Sequence, residues 1–480
     1  MSEFFLELFS EEIPANLQSS ARKELKDIFI KFCELNQINI RGKIKSFSTP
    51  NRLVIFIDKI SEEVEKKSIE IRGPNVNAPD IAIQGFLKSN NINQNQIYKK
   101  TNEKGEFFFF NKPSQKISVF KLFRDNIESL VTKIPWKKSM KWGDYSLYWG
   151  RPLKSILAVF DKKVLNFKID HLQSSNKTFL DKDLEEKIKI FNDFKTYEKF
   201  FKKNDIIIDQ ESRKNLIRKE ITKAEKKYKF HVNLNEKLLD EVTNLVEKPK
   251  VLVGQFDEKF LNIPKEILIT TMQTHQKYFP TLDNKNNIIN SFIVVADISD
   301  SKGLVKIGNE RVIDARLSDA EFFWNKNKSQ NLVKQISKLK NINYFKGLGS
   351  YFDKIQRMRK LSALISDELL ISKEKIEIAS SICKVDLMSD LVGEFPELQG
   401  VMGGYFAQEQ GFEKEVSQAV SEHYLPIGMD SKIPKKPYSV ALSLSDKIDS
   451  LVGFFGINLK PSSSKDPYAL RRMAISLVRL

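Results

Sequence analysis

Apolar residues recur at helical spacing through the last third of the chain. This periodicity predicts a series of amphipathic helices at Leu332–Leu339, Ile355–Leu370, Ile376–Leu391, Val416–Tyr424 and Val440–Phe455. A final apolar stripe follows Asp466 and Pro467, a residue pair that favours a helix start. We therefore predict an all-helical domain over residues 329–480.

The first part of the chain has a mixed pattern. Phe4–Phe9 is typical of a strand, Leu17–Leu35 keeps helical spacing, and Arg52–Ile57 is a mostly apolar run typical of a buried strand. We predict a mixed α/β domain over residues 1–165 and a central α/β domain over residues 166–328. The expected fold class is therefore α+β multidomain, with mixed α/β N-terminal domains followed by the all-helical domain.

Three acidic residues recur every fourth position in the helical region: Asp386, Asp390 and Glu394. Positions four apart share one face of a continuous helix, so we expect the three carboxylates to stack there. Such a row is a candidate metal site, a site for a basic partner, or a solvated face. The spacing alone leaves all three interpretations open.

The net charge of the chain favours an anionic partner. Its 480 residues carry 79 Lys and Arg against 62 Asp and Glu, a formal charge of +17, and nucleic acid is the first candidate partner. An equal alternative is the composition of proteins from AT-rich genomes, which are rich in Lys, Asn, Ile and Phe. Cys33 and Cys383 form no disulfide framework or zinc motif, and no apolar run has membrane-spanning length. We expect a cytoplasmic protein without membrane contact.

The stretch Trp136–Leu153 places cations among aromatic residues, in the sequence WKKSMKWGDYSLYWGRPL. Interleaved rings and cations suit a single-stranded or bent RNA. The alternative, which we favour, is that the tryptophans anchor packing while the lysine stems lie over them.

Motifs for nucleotide binding, metal binding and nucleophilic catalysis are missing from the sequence. It contains no GxxxxGK[ST], HExxH, CxxC or Gly-x-Ser-x-Gly, and the pair Gly347 and Gly349 lacks the context of a dinucleotide fold. We therefore predict no catalytic, cofactor-binding or metal-binding residue on this chain.

Two segments of the helical region, Lys384–Asp386 and Leu444–Asp449, resemble in their order the HD-type phosphohydrolases. Those enzymes hold a divalent metal with an adjacent His-Asp pair and a distant Asp. Lys384 stands where the ligand His is expected, and an ammonium has no lone pair to give a metal. The resemblance implies a degenerate HD-type fold, and an HD-type metal-dependent phosphohydrolase is the alternative function.

Short motifs that follow one another from residue 4 to residue 472 carry a second resemblance: FFLELFSEEIPA, STPNRL, RGP, GEFFF, SMKWGD, MQTHQKYFP, GNERVIDARLSDAEFF, DLMSDLVGEFPELQGVMGGYFA, LSDKIDSLVGFFGI and KDPYALRR. Together they resemble the β subunit of bacterial two-subunit glycyl-tRNA synthetase. One segment departs from that family, which usually carries a Thr-Arg-Gly-His-Arg-Phe-like sequence where this chain has Ser174–Phe179. An RNA or subunit contact of relatives at this segment does not carry over.

The resemblance implies a non-catalytic, tRNA-binding subunit of an α2β2 glycine–tRNA ligase. In that family ATP, glycine and tRNA(Gly) give glycyl-tRNA, AMP and diphosphate, and the α subunit carries the class II catalytic site. ATP and Mg are therefore expected in the complex and no cofactor on this chain. The family has an anticodon-binding domain after KDPYALRR, so we expect the chain to continue beyond Leu480. A general RNA-binding scaffold is a further alternative.

We select basic residues in and near the matched motifs as candidate RNA contacts. The first set is His275, Lys277, Arg311 and Arg316, and the second set is Lys138, Lys141 and Arg151. Arg311 and Arg316 flank Asp314, so pairing with carboxylates of the chain is an equal alternative for them.

Overall fold

The structure is a computed structural model that describes residues 2–66, 68–102, 105–180, 188–429, 431–462 and 465–480. The chain forms two compact units, each built from several segments. Unit 1 comprises Met1–Glu220, Glu236–Lys250 and Val295–Ser299, and unit 2 comprises Ile221–Asn235, Val251–Val294 and Asp300–Leu480. Helices and sheets occur together in the chain, which confirms the predicted α+β character.

Unit 1 contains most of the strands. They are β1 Ser2–Ser10, β2 Ile44–Ser48, β3 Arg52–Ile60, β4 Glu63–Lys66, β5 Ile69–Asn75, β6 Ile97–Asn102, β7 Gly105–Lys112, β8 Gln115–Ser118, β9 Leu153–Phe160, β10 Lys163–Val164, β11 Lys168–Ile169, β12 Leu172–Ser175, β13 Lys177–Phe179 and β14 Ile188–Ile190. The helices are α1 Ala15–Leu35, α2 Asp80–Asn90, α3 Val119–Thr132, α4 Phe194–Lys203, α5 Gln210–Tyr228, which continues into unit 2, and α6 Glu236–Thr243, with a 3-10 turn at Gln94–Gln96.

Strand β1 lies inside a seven-stranded sheet of order β11-β12-β9-β1-β3-β2, with β10 also paired to β9. Successive side chains of a strand point to opposite faces of the sheet. Phe4, Leu6 and Leu8 therefore pack into one apolar cluster with α1 and α3. Phe5 points the other way and packs with α4. Burial on both faces explains why β1 is a nearly continuous apolar run.

A buried ion-pair network crosses the α4 side of this sheet. The guanidinium of Arg52 on β3 lies between two carboxylates, with Nη1 2.5 Å from Glu247 and Nε 3.3 Å from Glu7. Its Nη2 donates to the backbone carbonyls of Phe179 and Leu180, at 2.6 and 3.1 Å. Arg52 therefore joins parts of unit 1 that are far apart in the sequence.

Unit 2 contains a four-stranded sheet of order β15-β17-β18-β16, followed by helices. Its strands are β15 His231–Val232, β16 Lys250–Gln255, whose first residue belongs to unit 1, β17 Phe279–Leu282, β18 Ile288–Ala296, whose last two residues belong to unit 1, β19 Asn343–Phe345 and β20 Gly349–Ser350. Its helices are α7 Lys265–Thr270, α8 Leu304–Lys328, α9 Leu332–Gln335, α10 Tyr351–Glu368, α11 Lys373–Ile382, α12 Asp390–Glu394, α13 Val401–Glu409, α14 Lys414–Glu422, α15 Pro437–Gly456 and α16 Leu470–Arg479. Shorter turns are the 3-10 segments Glu258–Asn262, Ile336–Asn341, Val385–Met388 and Pro396–Leu398, and a π-helical turn at Thr271–His275.

The helical series predicted for the last third of the chain is largely confirmed by α10, α14 and α15. The prediction of an entirely helical region is wrong at β19 and β20, which form a short hairpin. Among the residues that the structure describes, no helix combines the length and the apolar character needed to cross a membrane.

The predicted row of carboxylates on one helical face is wrong. Helix α11 ends at Ile382, and the chain passes through a 3-10 turn before Ser389 takes an extended conformation and starts α12. The Ser389 hydroxyl accepts a hydrogen bond from the Val392 N–H, so it caps the new helix and breaks the four-residue period. Asp386 is buried, whereas Asp390 forms an ion pair with Lys326 at 2.9 Å.

Candidate functional site

The interior of the helical region holds a cluster of charged side chains, which we call the polar centre: Lys354, Lys384, His423, Asp446 and Asp449. Asp446 and Asp449 lie three residues apart on α15 and so share one face of that helix. The Lys354 ammonium on α10 lies 2.8 Å from Asp446 Oδ1 and 3.0 Å from Asp449 Oδ2. A cation and two carboxylates thus meet in a buried part of the helical region.

The ammonium of Lys384 fills the other half of the polar centre. Its Nζ lies 2.9 Å from His423 Nε2 and 3.0 Å from Asp446 Oδ2, and 3.8 Å from the centre of the Tyr424 ring. His423 Nδ1 lies 2.6 Å from the carbonyl of Val420, which can only accept a hydrogen bond, so Nδ1 carries the proton. Nε2 then has a lone pair that accepts from Lys384.

The charge states follow from these contacts. Burial lowers the pKa of His423 well below its usual value, and the charge of Lys384 acts in the same direction, so the imidazole is neutral. Burial opposes the charge on Lys384, but the surrounding groups, with the carboxylate of Asp446 foremost, together raise the lysine pKa. Burial also opposes the charge on Asp446, but Lys354 and Lys384 together lower its pKa.

The polar centre does not fit a divalent metal of the kind that HD-type enzymes hold. The His423 Nε2 lone pair and the Asp446 oxygens, which would bind such a metal, are already engaged by Lys384 and Lys354. Within the described ranges, no three His, Cys, Asp or Glu side chains are grouped closely enough to hold a metal ion.

Asp386, the acidic residue of the HD-like segment, has a different role. Its Oδ2 accepts the backbone N–H groups of Gly400 and of Gly403, the latter at 3.2 Å, at the start of α13. Oδ1 is buried without a hydrogen-bond partner, and burial raises the pKa of the carboxyl to about 6. Asp386 therefore holds the N-terminus of a helix.

The first set of candidate RNA contacts lies in unit 2. His275 and Lys277 are half-buried at the end of the π-helical turn, and the His275 ring centre is 5.0 Å from that of Phe395. Arg311 and Arg316 are exposed on α8. Five residues correspond to about 140° around a helix, so these two side chains leave α8 in different directions.

The proposed pairing of these arginines within the chain has no support in the described part of the structure, where neither forms an ion pair. The carboxylate of Asp314, which lies between them, accepts instead from the backbone N–H of Asp257, at 3.4 Å. Arg311 and Arg316 remain separate exposed cations.

The second set lies in unit 1. Lys138 and Lys141 are exposed, whereas Arg151 is half-buried and donates to the carbonyl of Gly150 at 2.8 Å. Lys141 Nζ lies 4.7 Å from the centre of the Tyr148 ring. The structure brings Lys141 and Tyr148 together as a cation–aromatic pair.

The stretch Trp136–Leu153 was interpreted either as an RNA-binding surface or as packing anchors. The structure shows that its tryptophans and its tyrosines differ in burial. Trp149 is buried in the core of unit 1, and Trp136 packs edge-on against it with ring centres 5.0 Å apart. Tyr145 and Tyr148, by contrast, are 40% and 60% exposed. The tryptophans are packing anchors, and the tyrosines are surface residues.

Sequence reasoning missed Lys354 and the pairing of Lys384 with His423. A signal for the polar centre is present in α15, where Asp446, Asp449 and Ser450 lie at spacings of three and four residues and so share one face of the helix. Polar residues at that spacing on a buried face need partners from other helices.

Comparisons with known proteins cover the whole chain. The family model described as "Glycyl-tRNA synthetase beta subunit" matches residues 4–480. Similar proteins named "Glycine--tRNA ligase beta subunit" occur in Rickettsia felis, 35% identical over 484 residues, in Rickettsia bellii, 36% over 482, and in Rickettsia typhi, 35% over 481. Each match covers 100% of this chain and 71–72% of the relative.

These matches place the chain among the subunits of aminoacyl-tRNA synthetases. It belongs to the glycyl-tRNA synthetase beta subunit family. The resemblance inferred from the sequence motifs is therefore confirmed.

Proposed function

We propose that this chain is the tRNA-binding subunit of a cytoplasmic α2β2 glycyl-tRNA synthetase. Activation of glycine by ATP, with Mg, and its transfer to tRNA(Gly) take place on a separate α subunit. The match over residues 4–480 to relatives named as beta subunits of this ligase carries the proposal. The net charge of +17 supports an RNA partner.

Positioning is the contribution we assign to the chain. Holding the acceptor end of a tRNA in a fixed orientation replaces a bimolecular encounter by an effectively unimolecular step, which lowers the barrier without any group on this chain touching the reacting atoms. In this proposal the helical region keeps an HD-type fold, and its polar centre serves stability.

A glycylation assay with tRNA(Gly) tests whether tRNA binding resides on this chain and catalysis on the α subunit. We expect activity when the chain is mixed with a purified glycyl-tRNA synthetase α subunit and none from the chain alone. Activity of the chain alone at the level of the mixture would overturn the proposal.

The candidate RNA contacts are tested by the salt dependence of tRNA binding to the complex. Lys277→Ala and Arg311→Ala should each weaken binding and make the negative slope of log K against log salt shallower by about one, because each removes one phosphate contact. Lys116→Ala is the control, since Lys116 is 72% exposed beside Glu63 and belongs to neither set. A slope equal to that of the control removes the residue from the candidates.

The alternative of an HD-type phosphohydrolase is opposed by the Lys384 ammonium between His423 and Asp446. Elemental analysis of the purified chain provides the test. Stoichiometric Mn, Fe, Zn or Ni would require Lys384 to leave its position and would restore that alternative. Association with tRNA(Gly) but with no α subunit would favour the general RNA-binding scaffold.

A further inference from the structure

The segment Lys141–Tyr148, which we call the aromatic loop, is fixed at its base in the core of unit 1. Backbone hydrogen bonds join Met140 and Trp149 in both directions, at 2.8 and 3.1 Å. Trp149 is buried, and its indole N–H donates to the Ser10 hydroxyl at 3.1 Å. The two ends of the aromatic loop are therefore held together by backbone hydrogen bonds and anchored in the core by Trp149.

A second set of contacts fixes the loop from the side. Asp170 Oδ2 accepts the backbone N–H groups of Ser146 and Leu147, at 2.6 and 2.8 Å, and the Ser146 hydroxyl at 3.0 Å. The Tyr145 ring is stacked on the His171 ring, with centres 3.4 Å apart and planes 12° apart. The conformation of the loop is thus set before any partner binds, which reduces the entropy lost on binding.

The rigid loop presents aromatic surface and positive charge to solvent. Tyr148 is 60% exposed and carries the Lys141 ammonium beside its ring, and Tyr145 is 40% exposed. Residues 137–151 contain four cations and a single carboxylate, that of Asp144. The cations are Lys137, Lys138, Lys141 and Arg151.

This combination favours RNA over a protein partner. Unpaired bases stack on exposed aromatic side chains, and nearby lysines neutralise the phosphates that join them. The centres of protein–protein interfaces are instead depleted of lysine. Bases in an A-form duplex are stacked on each other and do not reach such a ring, so the matching RNA is single-stranded.

We propose that the aromatic loop binds unpaired nucleotides of the tRNA, with one base on the Tyr148 ring and an adjacent phosphate at Lys141. The tRNA as the source of these nucleotides rests on the proposed function. Stacking on Tyr148 does not depend on which RNA supplies the base.

The experiment uses the chain in complex with its α subunit and measures binding by fluorescence anisotropy. The probes are tRNA(Gly), a tRNA(Gly) lacking its unpaired 3′ end, a short unstructured oligoribonucleotide, and a blunt RNA duplex. Tyr148→Ala should weaken binding of the oligoribonucleotide about tenfold, in keeping with the loss of one stacked base. Tyr148→Phe keeps the ring and should bind as the wild type does.

Lys141→Ala should make the negative salt slope for the oligoribonucleotide shallower by about one and leave stacking in place. Affinity for the blunt duplex should be the same in all variants. Equal binding of the oligoribonucleotide by Tyr148→Ala and wild type would overturn the proposal, as would equal weakening by Tyr148→Ala and Tyr148→Phe. Loss of the α subunit from the Tyr148→Ala complex would identify the loop as a protein interface and also overturn it.

The two proposals fail in different ways. If the complex binds tRNA(Gly) and charges it with glycine but Tyr148→Ala changes no RNA affinity, the aromatic loop proposal fails and the proposed function stands. If the oligoribonucleotide binds in a Tyr148-dependent way but no tRNA is bound or charged, the proposed function fails instead.

Discussion

Arg52 in unit 1 and Lys384 in unit 2 are both cations with almost no exposed surface, 0% and 1%, yet they are held by different kinds of partner. The planar guanidinium of Arg52 reaches two carboxylates and two backbone carbonyls, and it lies 4.8 and 4.6 Å from the ring centres of Phe9 and Phe201. Lys384 instead meets one imidazole nitrogen, one carboxylate and one ring, that of Tyr424, at 3.8 Å. The arginine satisfies many acceptors at once, whereas the lysine acts as a compact point charge.

The two sets of partners indicate different structural roles for Arg52 and Lys384. Removing Arg52 leaves Glu7 and Glu247 without an ion pair among the described residues, so Arg52 stabilises the interior of unit 1. Removing Lys384 still leaves Asp446 paired with Lys354, so the polar centre keeps one cation next to this carboxylate. Lys384 is better described as the charge that occupies an imidazole–carboxylate pocket.

Arg52→Met should have the largest effect. It removes the ion pair that the described residues provide to the buried Glu7 and Glu247, and we expect a loss of about 3–5 kcal/mol in the free energy of unfolding, measured by urea denaturation. Arg218→Met is the matched control, because Arg218 makes a two-point contact with Glu236 but is 44% exposed. The control should lose no more than about 1 kcal/mol. Comparable losses in the two variants would refute the role given to Arg52.

Lys384→Met should cost less, about 2–3 kcal/mol, because Asp446 keeps its contact with Lys354. It should also raise the pKa of His423, since the charge of Lys384 is one cause of the lowered value. An NMR titration of the His423 ring measures this shift. Lys326→Met, which removes a half-exposed partner of Asp390, is the control and should leave the His423 pKa unchanged. If the pKa of His423 were the same in Lys384→Met as in the wild type, the contact between Lys384 and His423 would be contradicted.

Asp386→Asn should have the smallest effect and only in one pH window. Burial raises the pKa of Asp386 from 3.8 to about 6, so the folded chain binds this proton more tightly than the unfolded chain. Stability from this group is therefore lost as pH rises between about 4 and 6, and amounts to about 1 kcal/mol between pH 5 and pH 7. The free energy of unfolding of the wild type should fall by that much more than that of the variant over this range. If the free energies of unfolding of the wild type and of Asp386→Asn changed in parallel with pH, a raised pKa of Asp386 would be excluded.

The strands and helices with strong local patterns were predictable from sequence. β1 and β3 are apolar runs buried within a sheet, and α1 and α15 keep a helical period over several turns. In β1, β3 and α1 most of the residues that define the pattern pack into the core, so pattern and burial agree there. In α15 the helix itself was predictable but its buried face was not, because that face is largely polar while Val452 and Phe455 are exposed.

The prediction of three carboxylates on one helical face was wrong because two local sequence signals compete. The period of Asp386, Asp390 and Glu394 favours one helix, whereas Ser389 followed by Asp390 is a helix start. The structure follows the second signal, since the Ser389 hydroxyl caps α12. A capping residue inside an apparent helical period is therefore the better predictor here.

The partners that meet in the polar centre and in the Arg52 network could not be predicted from local patterns. Lys384 and His423 are 39 residues apart, and Arg52 and Glu247 are 195 apart. No periodicity links residues at such separations, because the contact depends on how several helices or strands pack. The sequence indicates that Lys384 lacks a metal-binding lone pair, but its partner is visible only in the structure.

The span between Arg52 and Glu247 has a consequence for synthesis of the chain on the ribosome. At about 5–20 residues per second, Glu247 follows Arg52 after roughly 10 to 40 s. For that interval β1 and β3 are already made and Glu7 can pair with Arg52, but Glu247 is still untranslated. The Nη1 side of the Arg52 guanidinium therefore lacks its carboxylate until late in synthesis, and this part of the interior of unit 1 can be completed only then.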